Sequence, residues 1–305
     1  MSRPDGLRFR PPDAVFFLAL LFFCVLMLLT DNPPADAGPR ILRNLAVGLV
    51  LLGALFLDGT ASGRAAKFWI RLITAQMMFA FIFPLVTPFQ LILDKTWNDP
   101  AVLAFEQAAF GVQPTVWVQK FLSPALTEWL MFSYVAYLPL YPIICAVLYF
   151  KRGERAMEDY IFALAVANFA CVVCFILFPV AGPLYWIADQ YTVPLKGSVF
   201  TAAGEIIRTR FQEIGSSIPS PHCANATIMA LTAFRFHRPT FFVISPIIVS
   251  IYVSAFACRF HYLSDVVLGI AVGAATIAAV PGVLRAWNAR AEGSALPPGA
   301  RERAQ

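Results

Sequence analysis

The chain has 305 residues, 59% of them hydrophobic and only 13% charged, a balance that excludes an ordinary soluble domain. Its net charge of +5 is spread over loops and tails, which fits positive-inside membrane topology and argues against nucleic-acid binding. Several continuous apolar runs reach the roughly 18–20 residues that cross a bilayer, so the spans are read as helices and not as β-barrel strands.

Arg3, Arg8 and Arg10 precede the first run, Ala14 to Leu29. Ala35-Asp36-Ala37 behind it resembles a signal-peptidase site, but the run is long and more spans follow, so an uncleaved first helix is expected. The second run is Ile41 to Leu57. The third, Phe68 to Leu93, carries Pro84 and Pro88 and should kink near its end. Residues 94–127 place Trp97, Phe105, Phe110 and Trp117 among polar residues, as in an interfacial amphipathic helix. The fourth run is Trp129 to Phe150, with Tyr134, Tyr137 and Tyr141 at helical spacing, and the fifth is Tyr160 to Val180. A polar loop of about forty residues follows, long enough to suggest a function. The sixth run, Ala226 to Phe236, is short unless counted from Pro221. The seventh is Phe241 to Cys258 and the eighth Val266 to Leu284, before an Ala/Arg/Pro-rich tail expected to be disordered.

Eight spans put both termini on one side, which holds 15 of the 23 lysines and arginines and is therefore expected to be cytoplasmic. The expected organisation is an N-terminal helix pair (1–60), a six-helix core (68–285) and a cytoplasmic tail (286–305). Loops 180–221 and 259–264 then lie on the outer, extracytoplasmic side, and each carries a histidine motif. Cys24, Cys145, Cys171 and Cys174 sit inside apolar runs and are read as packing residues, the Cys171-x-x-Cys174 spacing included. Cys223 and Cys258 flank the motifs. They are expected to be unpaired, a disulfide between them being the alternative.

In the first motif, Ser217-Ile218-Pro219-Ser220-Pro221-His222-Cys223-Ala224-Asn225, a Ser/Pro-rich segment runs straight into an apolar helix. Such a helix start offers free N–H groups and a positive dipole end to a phosphate. Ser220 and Asn225 can add bonds to the anion, and His222 can supply a proton. Ser220 is equally an N-cap. In the second motif, Arg259-Phe260-His261-Tyr262-Leu263-Ser264-Asp265, the carboxylate lies four residues beyond His261. On a helix that spacing puts it on the same face, where it can orient and charge the imidazole. His237 falls in a cytoplasmic turn and is read as solvated.

Pro219-Ser220-Pro221-His222 resembles the second signature (P-S-G-H) of the type-2 phosphatidic acid phosphatase superfamily. Ser254, His261 and Asp265 resemble its third signature, S-R-x(5)-H-x(3)-D. The resemblance implies a six-helix core and a metal-independent, cofactor-free reaction on a lipid phosphate or phosphodiester in the bilayer. In that reaction His261 attacks phosphorus, Asp265 orients it, and His222 protonates the leaving oxygen and then activates the acceptor. Two departures stand out: the first signature, K-x(6)-R-P, is missing, and Ala255 replaces the arginine of the third. Candidate substitutes for the phosphate-gripping cations are Arg259, Arg208, Arg210 and Lys196. Loss of these cations, together with Trp97, Phe110, Gly111, Pro114, Trp117 and Gly182-Pro183, resembles the inositolphosphotransferase-like branch that includes inositol phosphorylceramide synthases.

A lipid transporter or flippase is the rival class, but span centres are nearly free of charge, against ion coupling. A catalytically inactive scaffold is a third reading, opposed by the intact His222, His261 and Asp265. The sequence leaves the lipid, the acceptor (water or an alcohol) and the oligomeric state open.

Overall fold

The computed structural model describes residues 9–30, 33–211 and 214–295. Its helices are α1 (Pro11–Leu29), α2 (Ala37–Thr60), α3 (Arg64–Ile82), α4 (Asp99–Phe110), α5 (Pro114–Trp117), α6 (Pro124–Arg152), α7 (Glu154–Leu177), α8 (Pro183–Trp186), α9 (Val199–Ile206), α10 (Pro221–Phe236), α11 (Arg238–Ala257) and α12 (Leu263–Ala295). Among the described residues there is no strand, only an isolated bridge between Val180 and Ser216. Among the described residues seven helices are long and apolar enough to cross a membrane: α1, α2, α3 with its extension, α6, α7, α11 and α12. The eighth expected span is the shorter α10, 16 residues long. The chain is an all-α, multi-pass integral membrane protein.

Proline and glycine set the boundaries. Proline occupies the first turn of α1, α4, α6, α10 and α11, where its missing N–H costs nothing. Gly111, at φ 72°, closes α4 in the left-handed conformation that favours glycine. Pro84 and Pro88 end α3 as expected, in a 3₁₀ turn over Phe83–Phe89. The last helix is longer than its apolar run and continues to Ala295, into the stretch expected to be disordered. Residues 296–305 lie outside those described.

α10 packs against α6, α7, α11 and α12. Its contact with α12 depends on Gly269 and Gly273. A Cβ at Gly269 would sit 2.4 Å from the Ser220 carbonyl oxygen, and one at Gly273 2.4 Å from that of Ala224. Small residues four apart let two helix backbones touch, as in other membrane helix pairs. The contact seats the start of α10 beside the start of α12.

The far end of the bundle is tied by a buried ion cluster. Arg71 makes a two-pronged bond to Glu158 (2.8 and 2.7 Å) and reaches Asp13 at 2.9 Å. Arg10 reaches Asp58, Glu154 and Glu158, each at 2.6 Å. The cluster fastens α1 and α2 to α3 and α7. Each carboxylate faces a guanidinium, which is the condition for burying charge at all.

The 94–127 segment is an inverted amphipathic structure. Phe105 and Phe110 of α4 and Trp117 of α5 are exposed, whereas Asp99 and Glu106 of α4 are fully buried. Apolar residues outward and acids inward suit a helix lying at a membrane interface over a polar site.

Candidate active site

Ser220 starts α10 as its N-cap, accepting the Cys223 N–H at 3.4 Å, and Pro221 fills the first helical position. The Ser220 N–H donates to the Asp265 carbonyl oxygen at 2.9 Å, joining the two motifs through backbone. His222 therefore leaves the first turn in a fixed direction. It lies between two α6 rings, 4.8 Å from Tyr134 and 4.9 Å from Tyr137 between centroids. The Tyr134 hydroxyl is 3.3 Å from both ring nitrogens of His222. Imidazole lone pairs lie in the ring plane and diverge, so equal distances place the hydroxyl over the ring face and leave both ring edges available.

His261 sits in a tight reversal between α11 and α12. The Phe260 and His261 N–H groups both donate to the Ala255 carbonyl, at 3.0 and 2.8 Å, and Arg259 takes a left-handed φ of 69°. His261 and Asp265 do not share a helical face as their spacing suggests: His261 precedes the helix and only Asp265 lies in its first turn. What brings them together is the cap of α12. The Asp265 Oδ2 accepts the Tyr262 N–H at 3.0 Å and the Ser217 hydroxyl at 2.5 Å, and stands 3.5 Å from His261 Nδ1. The nearer partner of Nδ1 is the Ser217 carbonyl oxygen, at 3.1 Å. A carbonyl only accepts, so Nδ1 carries the proton and the neutral ring keeps its lone pair on Nε2.

Two acids of α4 brace this arrangement. Glu106 accepts the Ser264 N–H at 2.7 Å and its hydroxyl at 2.8 Å, capping α12 from another helix because Tyr262, preceding it, has no short capping side chain. Asp99 accepts the Ala181 and Gly182 N–H groups at 2.7 and 2.9 Å and the Tyr262 hydroxyl at 2.9 Å. Burial raises both carboxyls above their ordinary range, against the lowering pull of these bonds. Sequence reading missed this pair. The available signal was two acids seven residues apart in a segment otherwise read for its aromatics.

The two histidine rings come within 5.8 Å of each other. They stand at one end of a cavity of about 600 Å³ that runs along α3 and α6 past Phe79, Phe83, Tyr137 and Tyr141. Among the described residues its lining holds no lysine, arginine or carboxylate. The expected cations are engaged elsewhere. The Arg259 guanidinium stacks 4.4 Å over Tyr191 and donates to the Val193 carbonyl oxygen. Burial lowers its pKa from the ordinary arginine value. Arg208 pairs with Glu205 at 2.5 Å, and Arg210 and Lys196 are exposed. Asn225 lies behind Tyr137, donating to its hydroxyl at 3.0 Å and to Asn168 at 3.1 Å. Ser220 is buried as a cap and Ser217 is spent on Asp265. All six cysteines are free, so Cys223 and Cys258 form no disulfide.

The class is thus a helical, multi-pass membrane protein with paired histidines at one end of a largely apolar cavity. The family model described as the PAP2 superfamily matches residues 100–279, well over half of the chain, and the protein belongs to that superfamily. Members of this superfamily are generally phosphatases or phosphotransferases, and a membrane-embedded member implies a lipid phosphate substrate. Comparisons with curated proteins and with solved structures gave no match.

Proposed function

We propose that the protein transfers a phosphoryl group from a lipid through a covalent phosphohistidine, with His261 as nucleophile, His222 as acid and base, and Asp265 as the group that orients His261. The observation that carries this reading is the pinning of His261 Nδ1–H by the Ser217 carbonyl, which leaves the Nε2 lone pair available 5.8 Å, ring to ring, from a second histidine. In the first half-reaction Nε2 attacks phosphorus, the phosphorus–oxygen bond to the leaving group breaks, and His222 gives that oxygen its proton. In the second, His222 takes the proton of water or of an alcohol, the acceptor oxygen attacks phosphorus, and the phosphorus–nitrogen bond breaks.

The cavity favours a phosphodiester over a phosphomonoester, and with it the inositolphosphotransferase-like branch. A monoester brings up to two negative charges and a diester one. Among the described residues the lining carries no lysine or arginine, which leaves the second charge uncompensated at a cost that grows as water is excluded. The apolar walls suit the lipid chains. By the charge asymmetry of the loops, the histidine end faces the extracytoplasmic side and both termini are cytoplasmic.

The test is turnover by purified protein in detergent without divalent metals, against paired lipid phosphomonoesters and phosphodiesters, with water or an alcohol headgroup as acceptor. The reading expects turnover of diesters above monoesters and its loss in His261→Ala. Turnover unchanged by that substitution would overturn the mechanism. Faster turnover of monoesters would overturn the substrate assignment alone. A transporter or an inactive scaffold would show no turnover.

A further inference from the structure

A second cleft opens at the other end of the bundle, between α7, α10 and α12. It encloses about 200 Å³ and is lined by Arg155, Arg235 and Arg285, with Asp159 and Thr232 among them. Arg235 is thirteen residues from His222 along α10, or about 20 Å at 1.5 Å per residue, so the cleft is separate from the histidine cavity. The three arginines come from helices far apart in sequence, yet they converge on one opening. Among the described residues none of them forms an ion pair, unlike Arg10, Arg40, Arg71 and Arg208. Asp159 offsets one charge and leaves the cleft with an excess of two positive charges. The rest of the wall includes Leu231, Ile277, Val280 and Leu284, apolar residues of two spans.

Positive-inside topology accounts for arginines at this end of the protein. It does not account for three of them sharing one crevice whose remaining wall is apolar. Guanidinium groups hold phosphate oxygens through paired N–H donors, and basic pockets between membrane helices take anionic headgroups. We propose that this cleft binds the phosphate of an anionic glycerophospholipid from the leaflet opposite the histidines, with the acyl chains lying along Leu231 and Ile277. The bound lipid would bridge α7, α10 and α12 at their ends.

The test measures lipid retention by the delipidated full chain in neutral detergent, using native mass spectrometry. Phosphatidylglycerol is the probe, and phosphatidylcholine and inorganic phosphate are the comparisons. An arginine that touches the bound phosphate adds about fivefold to the affinity, at roughly 1 kcal/mol each. The triple variant Arg155→Gln/Arg235→Gln/Arg285→Gln should therefore bind phosphatidylglycerol at least ~10-fold more weakly than the parent. Lys67→Gln/Lys151→Gln/Arg238→Gln, which removes three cations at the same end outside the cleft, should bind as the parent does. Near-neutral loss in the first triple, or equal loss in the second, would overturn the proposal. So would retention of phosphatidylcholine equal to that of phosphatidylglycerol. Displacement of phosphatidylglycerol by equimolar inorganic phosphate would assign the cleft to a free anion and overturn the lipid.

Discussion

At the scale of residues, His261 is held by two contacts of different rank, and substitutions should separate them. The Ser217 carbonyl at 3.1 Å fixes the tautomer, and it belongs to the backbone, so Ser217→Ala keeps it. That variant loses only the hydroxyl bond to Asp265, and turnover should fall by about tenfold, the worth of one hydrogen bond to a charged group. Asp265→Asn removes the charge that steadies the ring and should cost ~10²–10⁴-fold in kcat. Similar losses in the two variants would contradict the ranking. Glu106 offers a pH test outside the reacting pair. Its carboxyl is raised above the ordinary 4.5 by burial, so the folded state binds its proton more tightly than the unfolded chain. The stability it contributes is therefore full below pH ~4.5 and is lost as pH rises through the raised value. Glu106→Gln keeps an oxygen for the Ser264 N–H but cannot ionise. Its Tm should exceed the parent's above that window, and the gap should close on acidification. A gap independent of pH would contradict the assignment.

At the scale of elements, the α10–α12 contact sets the site, because the start of each helix carries one histidine motif. Gly273→Ala would drive a methyl group against the Ala224 carbonyl oxygen, and overpacking of this kind costs about 1–3 kcal/mol. Gly53 of α2 meets nothing within 4 Å, so Gly53→Ala should stabilise by roughly 0.5–1 kcal/mol through helix propensity. Thermal unfolding in detergent reads both, and equal effects would contradict the close-contact account. Arg71→Met should cost about 3–5 kcal/mol, because it strands Glu158 and Asp13 without their main partner. The helices themselves were legible because length and apolar composition decide a span, and proline placed several of their ends. The glycine pair was legible only as a spacing; nothing in the sequence said which helix it faced. Asp99 and Glu106 were hidden for the same reason. Each caps a helix start distant in the chain, and such pairing leaves no periodic signal.

At the scale of the whole molecule, the convergence of the two motifs was legible because both fall at one end of counted spans. That count does not need to know which spans touch. The fate of Arg259 was not legible: proximity to His261 in sequence suggested a phosphate contact, whereas the left-handed turn at residue 259 accompanies a guanidinium held by Tyr191 and Val193. Sidedness is tested by Lys196→Cys and Arg152→Cys in sealed cells with an impermeant thiol reagent. Labelling at 196 alone is expected, and labelling at 152 alone would invert the topology. The central claim is a covalent phosphoryl group on His261. Its most direct measurement is a brief, quenched incubation of the protein with a substrate labelled in the phosphoryl group, followed by mapping of the protein-bound label. The account predicts an alkali-stable, acid-labile label on the peptide carrying His261, formed more slowly in His222→Ala and absent in His261→Ala. Turnover in the parent with no label at His261, or label retained in His261→Ala, would contradict it.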